Sequence, residues 1–124
     1  MRFIATILFC FSFGAWGQSI DDLKASLSGK SGVEKARIEN SISEAYFKQR
    51  DYDSAIDWAE KALKNSESNK GENLRSAVNL GNAEKKSGKY KSALESFEIA
   101  RKRAEDTGHP DLVAYAYESM GYCY

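Results

Sequence analysis

One proline, one histidine, two cysteines and no surplus of either charge sign are what the 124-residue chain has least of. With 18 basic and 18 acidic side chains its formal charge is zero, so charge gives no drive for the capture of nucleic acid or anionic lipid. β-branched residues are sparse, and the Ala, Leu, Glu, Lys and Ser that replace them favour helix, which predicts an all-α chain. Constellations for metal binding or nucleophilic attack are also missing. His109 stands alone in a polar joint beside Pro110, and Cys123 has no histidine or second cysteine near it in sequence. Gly29-Lys30-Ser31-Gly32 lacks the spacing and the preceding strand of a phosphate loop. The carboxylate pairs Asp21/Asp22, Asp51/Asp53 and Asp57/Glu60 lie among lysines and read as solvated helix surface. No catalytic residue, no metal site and no cofactor is expected, so the chain is not expected to be an enzyme.

The only long apolar run lies at the N-terminus. Met1-Arg2 is followed by Phe3-Ile4-Ala5-Thr6-Ile7-Leu8-Phe9-Cys10-Phe11-Ser12-Phe13 and then by small residues at Ala15 and Gly17. One positive charge, an apolar stretch and a small-residue site predict a signal peptide over residues 1–17, with export to the periplasm or the cell exterior. The run is short of the roughly 20 apolar residues that span a bilayer. Cys10 is no lipid-attachment cysteine, because the bulky Ile7-Leu8-Phe9 precedes it. Loss of the leader leaves Cys123 as the one cysteine, so no internal disulfide is expected and stability rests on packing.

What the remaining sequence does contain is an internal repeat. Tyr52-Asp53-Ser54-Ala55-Ile56-Asp57-Trp58-Ala59-Glu60-Lys61-Ala62 matches Tyr90-Lys91-Ser92-Ala93-Leu94-Glu95-Ser96-Phe97-Glu98-Ile99-Ala100 at a shift of 38 residues. Upstream, Ile42-Ser43 falls on Leu80-Gly81, and a further shift of 40 brings Met120-Gly121 onto the same pair. Apolar residues recur three and four apart, as Ile38, Ile42, Ala45, Tyr46 and as Ala55, Ile56, Ala59, Ala62, Leu63, which is helical spacing with one buried stripe. Short polar breaks, Gln49-Arg50-Asp51 and Ser87-Gly88-Lys89, separate the two helices of each unit, and Gly88 suits the left-handed end of a helix. Asn65–Gly71 and Glu105–Pro110 are predicted joints between units, with Pro110 in the first turn of the next helix.

This pattern resembles the tetratricopeptide repeat, a helix-turn-helix unit with a large and a small residue midway along its first helix and a tyrosine with spaced small residues on its second. In the first unit those places hold Ile42, Ser43, Tyr46, Tyr52, Ala55, Ala59 and Ala62. In the second they hold Leu80, Gly81, Gly88, Tyr90, Ala93, Phe97 and Ala100, and Tyr117, Met120, Gly121 and Tyr124 begin a third. Glu84 stands where the second unit should have an aromatic, and Arg50 replaces the first turn glycine. The resemblance implies an all-α solenoid with a leading cap helix over 18–30, repeats over 33–66 and 71–106, and the first helix of an incomplete repeat over 110–124. The period exceeds the 34 residues usual for the family.

The resemblance also implies a protein-binding role through a groove lined by the first helix of each unit. By register the groove candidates are Arg37, Asn40, Glu44 and Phe47, then Arg75, Val78, Asn82 and Lys85, then Tyr115, Glu118 and Tyr122. Asn40 and Glu44 occupy the places where chaperone-binding relatives carry a carboxylate clamp, to which Arg75 and Asn79 would contribute only in part. The expected partner is a protein or peptide, without nucleic acid or metal. An unfinished third unit leaves Val113, Tyr117 and Met120 without a partner helix, which marks the sequence as the N-terminal piece of a longer protein or as a chain that self-associates through this face. A leader, a short helix and repeats of about 40 residues are similar in layout to the exported sensor region of bacterial signalling proteins. There a membrane segment and an output domain follow. The alternative is an envelope-assembly adaptor.

Overall fold

The structure is a computed structural model that describes residues 19–124, so the leader expected over 1–17 lies outside the described residues. Among the described residues six helices follow one another: α1 (Ile20–Ala25), α2 (Gly32–Lys48), α3 (Tyr52–Asn65), α4 (Lys70–Lys86), α5 (Tyr90–Thr107) and α6 (Pro110–Cys123). No strand occurs among the described residues.

Local chemistry fixes where these helices start and stop. The Asp51 carboxylate accepts from the Ser54 amide at 3.2 Å and the Asn69 side chain accepts from the Glu72 amide at 2.9 Å, each satisfying an N–H that the first turn leaves free. Within the hairpins, Arg50 and Gly88 take the same left-handed conformation, with φ of 62° and 81°. Asp51 N–H then donates to the Tyr46 carbonyl at 3.0 Å, just as Lys89 N–H donates to Glu84 at 2.8 Å. The first turn thus keeps the geometry without its glycine, at a steric cost of about 1 kcal/mol.

Two joints are shorter than the sequence suggests. Helix α3 runs through Asn65 and α4 begins at Lys70, while α5 continues to Thr107, so Glu105 and Asp106 are helical. Arg101 bridges Glu98 and Glu105, and the Thr107 hydroxyl donates to the Arg103 carbonyl at 2.7 Å, which carries the helix on to the left-handed Gly108. The leading helix, in contrast, is only six residues long. The Ser26 hydroxyl bonds back to the Leu23 carbonyl at 2.7 Å, and Gly29 turns the chain at φ 76°.

Each helix packs on its neighbours in sequence, and α2 also packs on α4, which gives a solenoid of helical hairpins. Ala55, Ile56 and Ala59 of α3 meet Leu80 and Ala83 of α4, and Ala93 and Phe97 of α5 meet Met120 and Cys123 of α6. Ala62 and Ala100 are buried in the same way, and Ile42 is fully enclosed. These alanines let the backbones approach closely enough to exclude water. Tyr46 and Tyr52 are half-buried at the edge.

Three expectations about packing are corrected. The stripe that α2 buries is not the apolar set Ile38, Ile42, Ala45, Tyr46 but Ala36, Glu39, Asn40, Ile42 and Ser43, because the polar members find partners on α3 and α4. Tyr90 is 43% exposed, although its equivalent Tyr52 packs edge-on against Phe47 at 5.3 Å; Lys85 replaces that phenylalanine in the second unit. Gly121 is exposed and a Cβ there would meet nothing within 4 Å, so it has no close packing to permit.

Glu84 is buried in the place of Tyr46 and accepts from the Ser96 hydroxyl. Burial pushes its carboxyl up from the ordinary value against the lowering effect of that bond, with Glu60 and Glu95 adding to the rise.

Gly81 is the tightest point in the core. A Cβ there would stand 2.8–3.0 Å from the ring of Phe97, which is fully buried and has no room to swing away. Gly81→Ala is therefore expected to destabilise the fold by about 1–3 kcal/mol in urea unfolding, despite the higher helix propensity of alanine. Adding Phe97→Leu to it should cost less than the two single changes summed.

Candidate binding groove

Helices α2, α4 and α6 present the side chains read as groove candidates, but the structure separates those that are spent on the fold from those that are open. Arg75 is spent. Its Nε and Nη2 donate to both oxygens of Glu44 at 2.8 and 2.7 Å, and Nη1 donates to Glu72 at 3.1 Å. The Asn79 amide donates to Glu44 at 2.9 Å and to Asn40 at 3.1 Å. Burial opposes ionisation of Glu44, yet the bonds from Arg75 and Asn79 and the Arg75 charge outweigh it and hold the carboxyl below its ordinary value. The same partnership raises Arg75 further.

Asn40 is a correction. It is fully buried, with its amide nitrogen donating to Ser76 Oγ at 2.7 Å and Glu72 Oε2 at 2.8 Å, so no ligand reaches it. Glu72 sits deep in the seam, where Arg37 approaches it at 3.7 Å from the exposed side. Six residues, Asn40, Glu44, Glu72, Arg75, Ser76 and Asn79, thus form one polar seam between α2 and α4. A second column continues it inward: Asn65 donates to Glu39 at 2.7 Å, and Asn73 donates to Ser66 at 3.2 Å while accepting from Arg103 at 2.9 Å. Every buried side-chain N and O atom among the described residues has a partner.

Glu72, Ser76 and the second column were not singled out from sequence. Their trace is there: Glu72, Arg75, Ser76 and Asn79 recur three and four apart on α4, opposite Arg37, Asn40, Ser41 and Glu44 on α2. That is a polar stripe on each of two helices at matching register.

Beyond the seam, the remaining candidates frame open space. A cavity of ≈ 160 Å³ lies between α2 and α4, lined by Ser43, Glu44, Phe47, Lys48, Asn79 and Asn82. A second concavity of ≈ 420 Å³ lies between α4 and α6, where Leu74, Arg75 and Val78 face His109 and Leu112. Tyr115 donates its hydroxyl to the Asn82 carbonyl oxygen at 2.5 Å, which ties α6 to α4. Lys85 is surrounded by rings, its ammonium 5.3 Å from Tyr122, 5.7 Å from Phe97 and 6.0 Å from Tyr115. Glu118 is exposed, as is Tyr122. No group of residues that could hold a metal ion occurs among the described residues.

Residues 36–69 match the family model of the tetratricopeptide repeat. The span begins in α2 and ends at the cap of α4, one hairpin with its following turn, and it supports a protein of the tetratricopeptide repeat kind. No curated protein matches the chain.

The pairing of Arg75 with Glu44 has a pH signature. Because the folded-state pKa of Glu44 is depressed, its contribution is present above the unfolded value of about 4.3 and is lost as pH falls through the lower folded value. Glu44→Gln is expected to destabilise the fold by about 1 kcal/mol at pH 7, since the pair is partly exposed to solvent, and to destabilise it less near pH 3. Urea melts of both proteins at the two pH values measure this.

Proposed function

We propose that the face formed by α2, α4 and α6 binds an extended segment of a protein or peptide, and that the cavity at Phe47 seats one of its apolar side chains. The observation that carries this reading is the shape and lining of that cavity. Its ≈ 160 Å³ suits one large aliphatic or aromatic side chain, with Phe47 as the apolar wall and Lys48, Asn79 and Asn82 as the polar rim. Asn82 gives its carbonyl oxygen to Tyr115, which leaves its amide N–H groups to donate to a ligand backbone. Exposed Lys48 favours a carboxylate beside the apolar anchor.

The repeat match supports an interaction scaffold, since tetratricopeptide repeats are typically non-catalytic. On our reading the scaffold has no chemistry of its own. We also place it in an exported protein, as the sensory or assembly part of a longer signalling chain. The leader pattern of residues 1–17 supports export, and the layout of short helix and long-period repeats supports the signalling role. No helix among the described residues is long and apolar enough to cross a membrane.

The groove is testable without a known ligand. Peptides selected from a random displayed library on the protein are expected to share one apolar position next to an acidic one. They should bind at least about ten-fold more weakly to the Lys48→Glu/Asn82→Ala protein, a change whose sites lie outside the buried seam. Selected peptides that bind both proteins equally would remove the groove from consideration.

A further inference from the structure

The groove changes character between its two junctions, α2 with α4 and α4 with α6. At shifts of 38 and 40 residues, Glu44 of α2 corresponds to Asn82 of α4 and Arg75 of α4 to Tyr115 of α6. The structure keeps that correspondence, since Tyr115 donates to Asn82 where Arg75 donates to Glu44. By the same register Asn40, Glu72 and Ser76 become Val78, Leu112 and Ala116. In the first junction the Asn40 amide bonds to both Glu72 and Ser76. In the second, all three places hold side chains that can form no hydrogen bond.

The exchange leaves apolar surface on an open concavity. Leu74, Val78 and Leu112 line the space of ≈ 420 Å³ between α4 and α6. Val78 and Leu112 pack inward on the cluster of Leu74, Ala77, Ala100 and Ala104, and both remain half-exposed. Asn79 lines this concavity and the cavity at Phe47 alike, so the two adjoin across α4. The α4 residues lining them are centred about five positions apart, roughly 8 Å along the axis, and neighbouring helices stand ~9 Å apart. The diagonal between the two is thus about 12 Å, which an extended chain covers in about three or four residues. Charge gives a second criterion. Among the side chains lining the two spaces Lys48 and Arg75 are cationic and only Glu44 is anionic, and Arg75 neutralises it. Lys48 is left to attract an anion.

We propose, on the groove reading given above, that the ligand is an extended acidic segment of a partner protein with two apolar anchors, one in the cavity at Phe47 and one against Val78 and Leu112. The anchors stand about three or four residues apart, and the segment crosses α4 diagonally with its acidic residue at the Phe47 end, beside Lys48. An apolar side chain laid on Asn40 and Glu72 would compete with their hydrogen bonds. On Val78 and Leu112 it strips water from carbon alone, so the second junction accepts the anchor that the first refuses.

Peptides selected from a random displayed library on the protein are expected to carry a second apolar residue about three or four positions from the one next to the acid. In a synthetic copy, replacing that second residue by alanine should weaken binding at least about ten-fold in fluorescence anisotropy. With 15N-labelled native protein, the amide shifts that distinguish the full peptide from its alanine copy should centre on Val78 and Leu112 and leave Phe47 unmoved. Val78→Asn/Leu112→Gln puts hydrogen-bonding side chains where the first junction has them. This change should cost the full peptide the same factor and leave the affinity of the alanine copy as it was. If that variant fails to fold in a thermal melt, the two peptides on the native protein still decide. Equal affinity of the two peptides would overturn the second anchor and leave the groove standing, as would shifts confined to Phe47 or a second apolar residue adjacent to the first. Peptides insensitive to Lys48→Glu/Asn82→Ala, or no binding peptide at all, would overturn the groove and the anchor together.

Discussion

Asn40 spends both ends of its amide on α4 while lying fully out of solvent, and the relation between the first two repeats depends on that contact. The apolar contacts between the helices are made largely by alanines and leucines, whose packing tolerates small sliding movements. A buried hydrogen-bonded amide does not, since a slip of one residue leaves a donor or an acceptor without a partner, at a cost of about 1–3 kcal/mol. The bidentate Arg75–Glu44 pair extends the same constraint toward the surface. An apolar seam of equal volume would hold the helices together at least as strongly. The polar one fixes which residues stand opposite each other, and so fixes the separation of Phe47 from Asn82 across the cavity.

Most of the fold was legible in the sequence because it is written twice. Alanine and tyrosine positions shared between residues 52–62 and 90–100 gave helix, turn and helix, and Gly88 gave the turn geometry that Arg50 then adopts without a glycine. The groove was less legible. Register correctly puts Glu44, Arg75 and Asn40 on one side of their helices, but register carries no information on whether a polar side chain there meets a neighbour or water. Here α4 follows at a shift that sets Arg75 against Glu44, so residues read as hooks for a ligand are ties between repeats. Phe47 and Asn82 still line the cavity, because Phe47 has no polar group to spend and Asn82 gives only its side-chain oxygen, to Tyr115.

Equivalent positions also diverge for a physical reason that single-sequence reading passes over. Gly81 and Ser43 hold the same place, yet one leaves room for the Phe97 ring and the other bonds to the Ala55 carbonyl, so what a position packs depends on the residue opposite it. Tyr52 and Tyr90 likewise share a place but not a neighbour, since Phe47 becomes Lys85. The lysine in turn takes an aromatic setting from Phe97, Tyr115 and Tyr122, and so links α4 to α6 beside the single Tyr115–Asn82 hydrogen bond, where the first pair of repeats uses a network of them. The two junctions of the solenoid therefore differ in the balance of interactions on one backbone plan.

That the polar seam sets the position of α2 against α4, more than it stabilises the fold, is the claim most open to direct measurement. Spin labels at the exposed positions 48 and 86, in protein with Cys10 and Cys123 changed to serine, report the distance between the ends of these two helices by pulsed electron resonance. The account expects one narrow distance distribution in the otherwise native protein. In the Asn40→Leu/Ser76→Ala protein it expects a distinctly broader distribution, with urea stability kept within about 1 kcal/mol. An unchanged narrow distribution in that variant would contradict it, because packing alone would then suffice to position the helices.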